Sequence, residues 1–316
     1  MTQSRPVATQ GIYGPPSAAA IFLVLTVNDG AESVVHDLLA DVSGLTRSVG
    51  FRSTDDELTC VTGIGSGLWD RLFGSPRPAE LHPFAEIVGD RHRAVSTPGD
   101  LLFHVRAKRL DLCFALSYEL TRRLAGHAQV VVEVHGFRYF DQRDLLGFVD
   151  GTENPTGVAA DAAVFIGAED PDFAGGSYVI VQKYLHDLTA WNALTTEQQE
   201  QAIGRTKLDD VEFADDVKPT NAHIALNVIE DAEGNQRQIV RDNMVFGSLG
   251  EQEFGTFFIG YAASPDVTET MLRRMFIGEP VGNHDRILDF STAITGGLFF
   301  APSQDFLDDP APLLGG

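Results

Sequence analysis

Ala20-Ile-Phe-Leu-Val-Leu-Thr-Val27 is a short run of almost entirely apolar, mostly branched residues. Such a run predicts a strand buried on both faces. About 156 positions later, Gly176-Ser-Tyr-Val-Ile-Val-Gln-Lys-Tyr184 has the same character. A second strand, Leu101-Leu-Phe-His-Val-Arg-Ala-Lys108, leads into a helical pattern through Leu112, Leu116, Tyr118 and Leu120. Its counterpart at nearly the same interval is Thr256-Phe-Phe-Ile-Gly-Tyr-Ala-Ala-Ser264, followed by Val267 to Phe276. Two matches at one offset indicate an internally duplicated α+β unit.

The first half reads as strand 20–27, helix 31–47, strand 58–64, strand 101–107, helix 109–125 and strand 129–137. That βαββαβ order is the ferredoxin-like unit. In the second half a helix is predicted near Thr196–Ile203, with Thr195 as N-cap, Gln198 three residues on and Gly204 as its stop. Strands are predicted near His223–Val228, Gln238–Val245 and Phe254–Tyr261, then a helix near 266–276. The expected architecture is α+β: two tandem ferredoxin-like halves, each with a four-stranded antiparallel sheet. The halves span 20–140 and 176–309, with an N-terminal arm 1–19, a linker loop 141–175 and a short tail 310–316. The linker is rich in Gly, Asp and Pro with little periodicity, and long loops in compact domains are often functional.

Composition sets limits. The chain has 316 residues, long enough for two domains or one domain built twice at ~150 residues each. Asp and Glu number 45 against 23 Lys and Arg, a net charge of −22. That charge argues against nucleic acid and anionic membranes as partners. The two cysteines, Cys60 and Cys113, stand in no metal-binding or covalent-haem spacing. The segment Met1–Ala20 lacks the apolar centre of a secretion signal, and nothing approaches the ~20 apolar residues of a membrane span. A cytoplasmic chain is expected.

Several motifs fail. Gly63-Ile-Gly65-Ser-Gly67-Leu68 puts leucine where a dinucleotide fingerprint needs its third glycine. No zincin, nucleophile-elbow or phosphate-loop pattern occurs, and the nine histidines are scattered.

Three segments can carry chemistry. In Leu146-Gly147-Phe148-Val149-Asp150-Gly151-Thr152-Glu153-Asn154-Pro155, the Asp-Gly pair fits a surface turn, but Leu146, Phe148 and Val149 draw the acid inward. A buried carboxylate is costly unless paired or functional. His223, in Lys218-Pro-Thr-Asn-Ala-His-Ile-Ala-Leu226, stands where an irregular stretch enters an apolar run. It fits either a hydrogen-bonded core residue or a ligand. In Ile239-Val-Arg241-Asp-Asn243-Met-Val-Phe246, Arg241 and Asn243 share one face of a strand. The arginine fits either a pocket or a rim salt bridge.

Together these residues resemble the dye-decolorizing peroxidases, specifically the compact bacterial B-type. Gly147-Phe-Val-Asp150-Gly151 matches the family's GxxDG motif, Arg241-Asp-Asn243-Met its distal Arg–Asn segment, and His223 stands about 18 residues before the arginine as the proximal haem ligand does. Thr152-Glu-Asn-Pro155 and Asp285-Arg-Ile-Leu-Asp-Phe290 add to the match, which runs from about residue 20 to Asp308.

The resemblance implies a duplicated ferredoxin-like, dimeric α/β-barrel-like fold and one non-covalent haem b per chain. It implies a peroxidase that reduces hydrogen peroxide through a ferryl intermediate and oxidises dyes, phenolics or similar organic donors. His223 is the expected axial ligand to the haem iron, with Asp285 as its carboxylate partner and Asp289 as the fallback. Asp150 is expected to shuttle the proton, Arg241 to hold the developing negative charge, and Asn243 to hydrogen-bond a distal water or peroxide. Arg205 is expected at a haem propionate, with Thr152, Glu153 and Phe257 also at the cofactor; of Phe257 and Phe258, alternation lets one face the haem. Glu153 with Glu212 is a candidate manganese(II) site, although Gln236 replaces a third acid. Tyr184 and Trp191 are candidate electron-transfer residues or core packing. A homo-oligomer, dimer or hexamer, is expected, and the short tail makes encapsulation in a protein shell doubtful. The alternative is a haem-handling protein for storage, transport or iron release, which would need no acid–base and cation on the open face.

Overall fold

The computed structural model describes residues 7–151 and 153–314. The first half runs β1 (Ala19–Val27), α1 (Glu32–Gly50), β2 (Thr59–Gly65), α2 (Ser66–Leu72), a small hairpin of β3 (Ile87–Val88) and β4 (Arg93–Ala94), β5 (Leu101–Ala107), α3 (Leu110–Arg123) and β6 (Ala128–Phe137). After a linker containing α4 (Val158–Val164), the second half begins with β7 (Ser177–His186) and three short helices, α5 (Leu188–Asn192), α6 (Thr196–Ile203) and α7 (His223–Asn227). A hairpin of β8 (Ile229–Glu230) and β9 (Gln236–Arg237) precedes β10 (Val240–Arg241), β11 (Met244–Ser248) and β12 (Glu253–Ala262). The chain ends with α8 (Pro265–Phe276), a 3₁₀ turn over Arg286–Asp289, β13 (Ser291–Ala293), β14 (Gly297–Ala301) and α9 (Gln304–Asp308).

The first half lays its strands side by side as β6-β1-β5-β2, the second as β14-β7-β12-β11. Both are the fourth-first-third-second order of a ferredoxin-like sheet, and every pairing is antiparallel. The two expected sheets are not separate. β11 pairs with β6, and β14 with β2, so eight strands close into one barrel. Closure pairs the outer strands that two open sheets would leave bare.

The barrel explains the unbroken apolar strand at Ala20–Val27. Ala20, Phe22 and Val24 pack inside the barrel with Val61, Val179, Val181, Phe257 and Tyr261. Ile21, Leu23 and Leu25 pack outward against Val35, Leu38 and Leu116 of α1 and α3. Both faces are dry, so alternation disappears.

Two strands are interrupted. β10 and β11 both pair with β12 but part at Asp242–Asn243, where the Asn243 side-chain Oδ1 accepts the Ile259 N–H at 3.1 Å. β13 and β14 pair with successive parts of β7 and part where Lys183 N–H donates to Thr295 Oγ1 at 2.8 Å. The strand expected near His223–Val228 is instead the helix α7. Its turn is closed by Asn227 Nδ2 donating to the His223 carbonyl at 2.7 Å. The helix over Thr196–Ile203 has the expected capping box of Thr195 and Gln198, and it stops at Gly204 in the left-handed conformation. No helix among the described residues is long and apolar enough to cross a membrane.

Candidate active site

A cleft opens against the outer face of the second half's sheet. Tyr184, His186, Thr256 and Phe258 form its floor, Met271 and Met275 of α8 one wall, and Leu146–Gly151 of the linker another. Of the residues singled out in the sequence, Asp150, Arg205, His223, Arg241 and Asn243 all line it.

His223 opens α7, and its Nδ1 lies 2.6 Å from Asp285 Oδ2. Asp285 is fully buried, and its other oxygen accepts the Ile287 N–H at 3.0 Å, capping the 3₁₀ turn. A carboxylate so held places the imidazole proton on Nδ1 and leaves Nε2 as the nitrogen for a metal. Asp289, the alternative partner, is turned away toward His92 and His284.

Across the cleft, Asp150 Oδ2 accepts from Asn243 Nδ2 at 3.0 Å. Since Asn243 Oδ1 is spent on Ile259, its amide orientation is determined and it presents a donor to Asp150. Arg241 is gripped through its main chain: Asn154 Nδ2 donates to its carbonyl at 2.7 Å, and its N–H donates to Asn154 Oδ1 at 2.9 Å. The Arg241 Nε is buried with no hydrogen-bond partner among the described residues. A buried guanidinium donor so placed suits an anionic or polar ligand in the cleft. Gly147 and Gly151 both have positive φ, 94° and 83°. This is why the loop carrying Asp150 needs glycine at both ends of its GxxDG motif.

The N-terminal domain model of the Dyp-type peroxidases matches residues 9–138, and the C-terminal domain model matches residues 141–306. The chain belongs to the Dyp-type peroxidase family. A dye-decolorizing peroxidase of Rhodococcus erythropolis is 64% identical over 305 residues, 96% of this chain and 89% of that protein. The encapsulated DyP-type peroxidase of Mycobacterium smegmatis superposes with a TM-score of 0.96 at 61% identity, covering 97% of this chain and 99% of that one. A variant of DypB from Rhodococcus jostii, solved in complex with haem, gives a TM-score of 0.95 at 58% identity, over 96% and 99% of the two chains.

In this Dyp-type peroxidase one expected residue is turned away from the cleft. Phe257 does not face the cleft: it stacks on Phe22 inside the barrel, with ring centroids 4.3 Å apart. The period of the strand turns Phe258 to the cleft instead. Arg205 is buried and pairs with Glu153 at 2.9 Å and Asp210 at 3.0 Å. Glu212 pairs with Lys218, so both acids of the candidate manganese site already have cationic partners. Thr152 lies outside the described residues. Trp191 is fully buried behind the cleft, its Nε1 donating to the Leu146 carbonyl at 2.9 Å. Tyr184 lines the cleft and donates to Gln182 at 2.7 Å.

Three residues without a role in the sequence reading belong to this peroxidase's cleft or its frame. Asn154 orients Arg241. His186 sits between Ser291 at 2.8 Å and Thr256 at 3.0 Å, and burial pushes it down to about 4. Burial pushes Asp144 up to about 7, with the Asp150 carboxylate adding to the rise. A polar residue inside an apolar strand was the available signal for His186; Asp144 carried none, because linker acids are common.

Proposed function

We propose that this peroxidase holds one non-covalent haem b per chain in the cleft, between His223 on one face and Asp150, Arg241 and Asn243 on the other. The observation that carries the reading is the His223–Asp285 pair at 2.6 Å opening into the cleft that Asp150 and Arg241 line. Haem supplies the iron at which hydrogen peroxide is reduced and through which electrons are drawn from an organic donor.

The residues then divide the work. Asp285 keeps the His223 proton on Nδ1, so that Nε2 holds the iron. Asp150 takes the proton of the near peroxide oxygen and returns it to the far one. Its Oδ2 is tied to Asn243, so Oδ1 is the oxygen free to do this. Arg241, permanently cationic, holds the negative charge that develops as the O–O bond breaks. Arg205 binds a propionate by exchanging part of its pairing with Glu153 or Asp210. Dyes and phenolics too bulky for the cleft give up electrons at its mouth. The chain works in the cytoplasm as a homo-oligomer.

The test is a spectrum of the purified protein, then peroxide addition. One haem per chain with a Soret band that changes on peroxide is expected, and His223→Ala is expected to lose most of its haem. A His223→Ala protein with normal haem content and an unchanged spectrum would refute the axial assignment.

A further inference from the structure

His92, His284 and Asp289 meet away from the cleft, at a seam between the two halves. His92 lies in the turn of the β3–β4 hairpin, while His284 precedes and Asp289 closes the 3₁₀ segment that carries Asp285. The Nε2 atoms of His92 and His284 lie 3.0 and 3.1 Å from the same oxygen, Asp289 Oδ1. One candidate ligand atom from each residue falls within 4.8 Å of the others. The two imidazoles are partly buried, which limits the rotamer freedom they lose on closing around an ion, while Asp289 is exposed.

We propose that His92, His284 and Asp289 bind one divalent transition-metal ion of the zinc class, clamping the first half's hairpin to the turn that holds Asp285. Two imidazoles and a carboxylate are the borderline donor set that zinc takes, with the fourth tetrahedral position left to water. Bonds of ~2.0–2.1 Å to a tetrahedral ion place its ligand atoms roughly 3.3 Å apart. Two of the three separations are already within a few tenths of an ångström of that. The net charge of −22 favours cation capture at the surface. Without an ion, two imidazoles crowd one carboxylate oxygen; with one, each imidazole uses its Nε2 lone pair instead. The clamp matters because Asp285 is next to His284 in the chain and both its oxygens are committed, to His223 and to the Ile287 N–H. Only this consequence for the proximal turn rests on the haem reading; the ion site does not.

The test is calorimetric titration of zinc chloride into the chelator-treated holoenzyme, with thermal unfolding followed in parallel. One equivalent per chain and a rise in unfolding temperature reversed by EDTA are expected. His92→Gln and His284→Gln should each weaken zinc binding at least ~10-fold while keeping the wild-type far-UV spectrum, as expected on removing one of three ligands. Absence of stoichiometric binding to the wild type, or undiminished binding in both variants, would overturn the site. The heat of binding reads the ion whatever the cleft holds, so a failed haem assignment and a failed metal site give different results.

Discussion

The carboxamide of Asn154 forms two hydrogen bonds with the main chain of Arg241, donating to its carbonyl at 2.7 Å and accepting its N–H at 2.9 Å. The side chain thus replaces a neighbouring strand and couples the Asp150 loop to the arginine. Asn154→Ala should strand two partly buried backbone groups and cost about 1–3 kcal/mol of stability. It should also slow the reaction with peroxide. Asn154→Asp keeps the acceptor but not the donor and should fall between wild type and alanine. Urea unfolding and stopped-flow peroxide mixing check both effects.

Asp285→Asn tests the proximal pair. Asparagine preserves shape and can still accept from Ile287, so the 3₁₀ turn should persist. The negative charge on the His223 side is lost. The expected result is retained haem, a more positive Fe(III)/Fe(II) potential and a ~10–100-fold loss of peroxide reactivity. Asp289→Asn should move the potential much less than Asp285→Asn, since Asp289 faces His92 and His284 rather than His223. Potentiometry of the two variants side by side checks the assignment.

What the sequence made legible was local and periodic. The β1 strand, its counterpart β7 and the Thr195–Gly204 capped helix could be read because caps and apolar runs act over a few residues. The barrel came only from the family resemblance and not from the local pattern, because its closure at Val245↔Phe137 and Phe299↔Gly65 joins strands far apart in the chain. Alternation stated that one of Phe257 and Phe258 faces the cleft, but choosing requires knowing which side of β12 is the barrel interior. Likewise Asp285 and Asp289 flank the same short turn, and only its three-dimensional course turns one to His223 and the other outward.

Asp144 should imprint itself on stability against pH. Burial raises its folded-state value from 3.8 to about 7. Between these values the unfolded chain has released the proton and the folded chain has not, so this group's contribution to stability falls as pH rises through that window. In the Asp144→Asn variant the carboxamide cannot ionise, and its oxygen can still accept the Phe148 N–H, which Asp144 Oδ1 now accepts at 2.9 Å. The difference in unfolding free energy between wild type and Asp144→Asn should therefore move in the variant's favour from about pH 4 to about pH 8. A difference independent of pH would count against a raised value for this carboxyl.

The division of labour between Asp150 and Arg241 gives the sharpest expectation. A positioned acid–base is worth ~10²–10⁴-fold, but a water can partly stand in for a short carboxylate. Asp150 sits on a loop between glycines, partly exposed, and its partner Asn243 could hold such a water in its place. A preorganised cation contributes ~10²–10³-fold or more through charge, and no water supplies that charge. Arg241 is half-buried, its Nε buried without a hydrogen-bond partner among the described residues, so solvent screens its charge less than on an open surface. Arg241→Leu should therefore slow the first peroxide-driven change in the Soret band more than Asp150→Asn. Stopped-flow mixing of each ferric variant with peroxide, at matched haem content, measures both rates. A larger loss in Asp150→Asn would make the aspartate the principal catalyst and reverse the assignment.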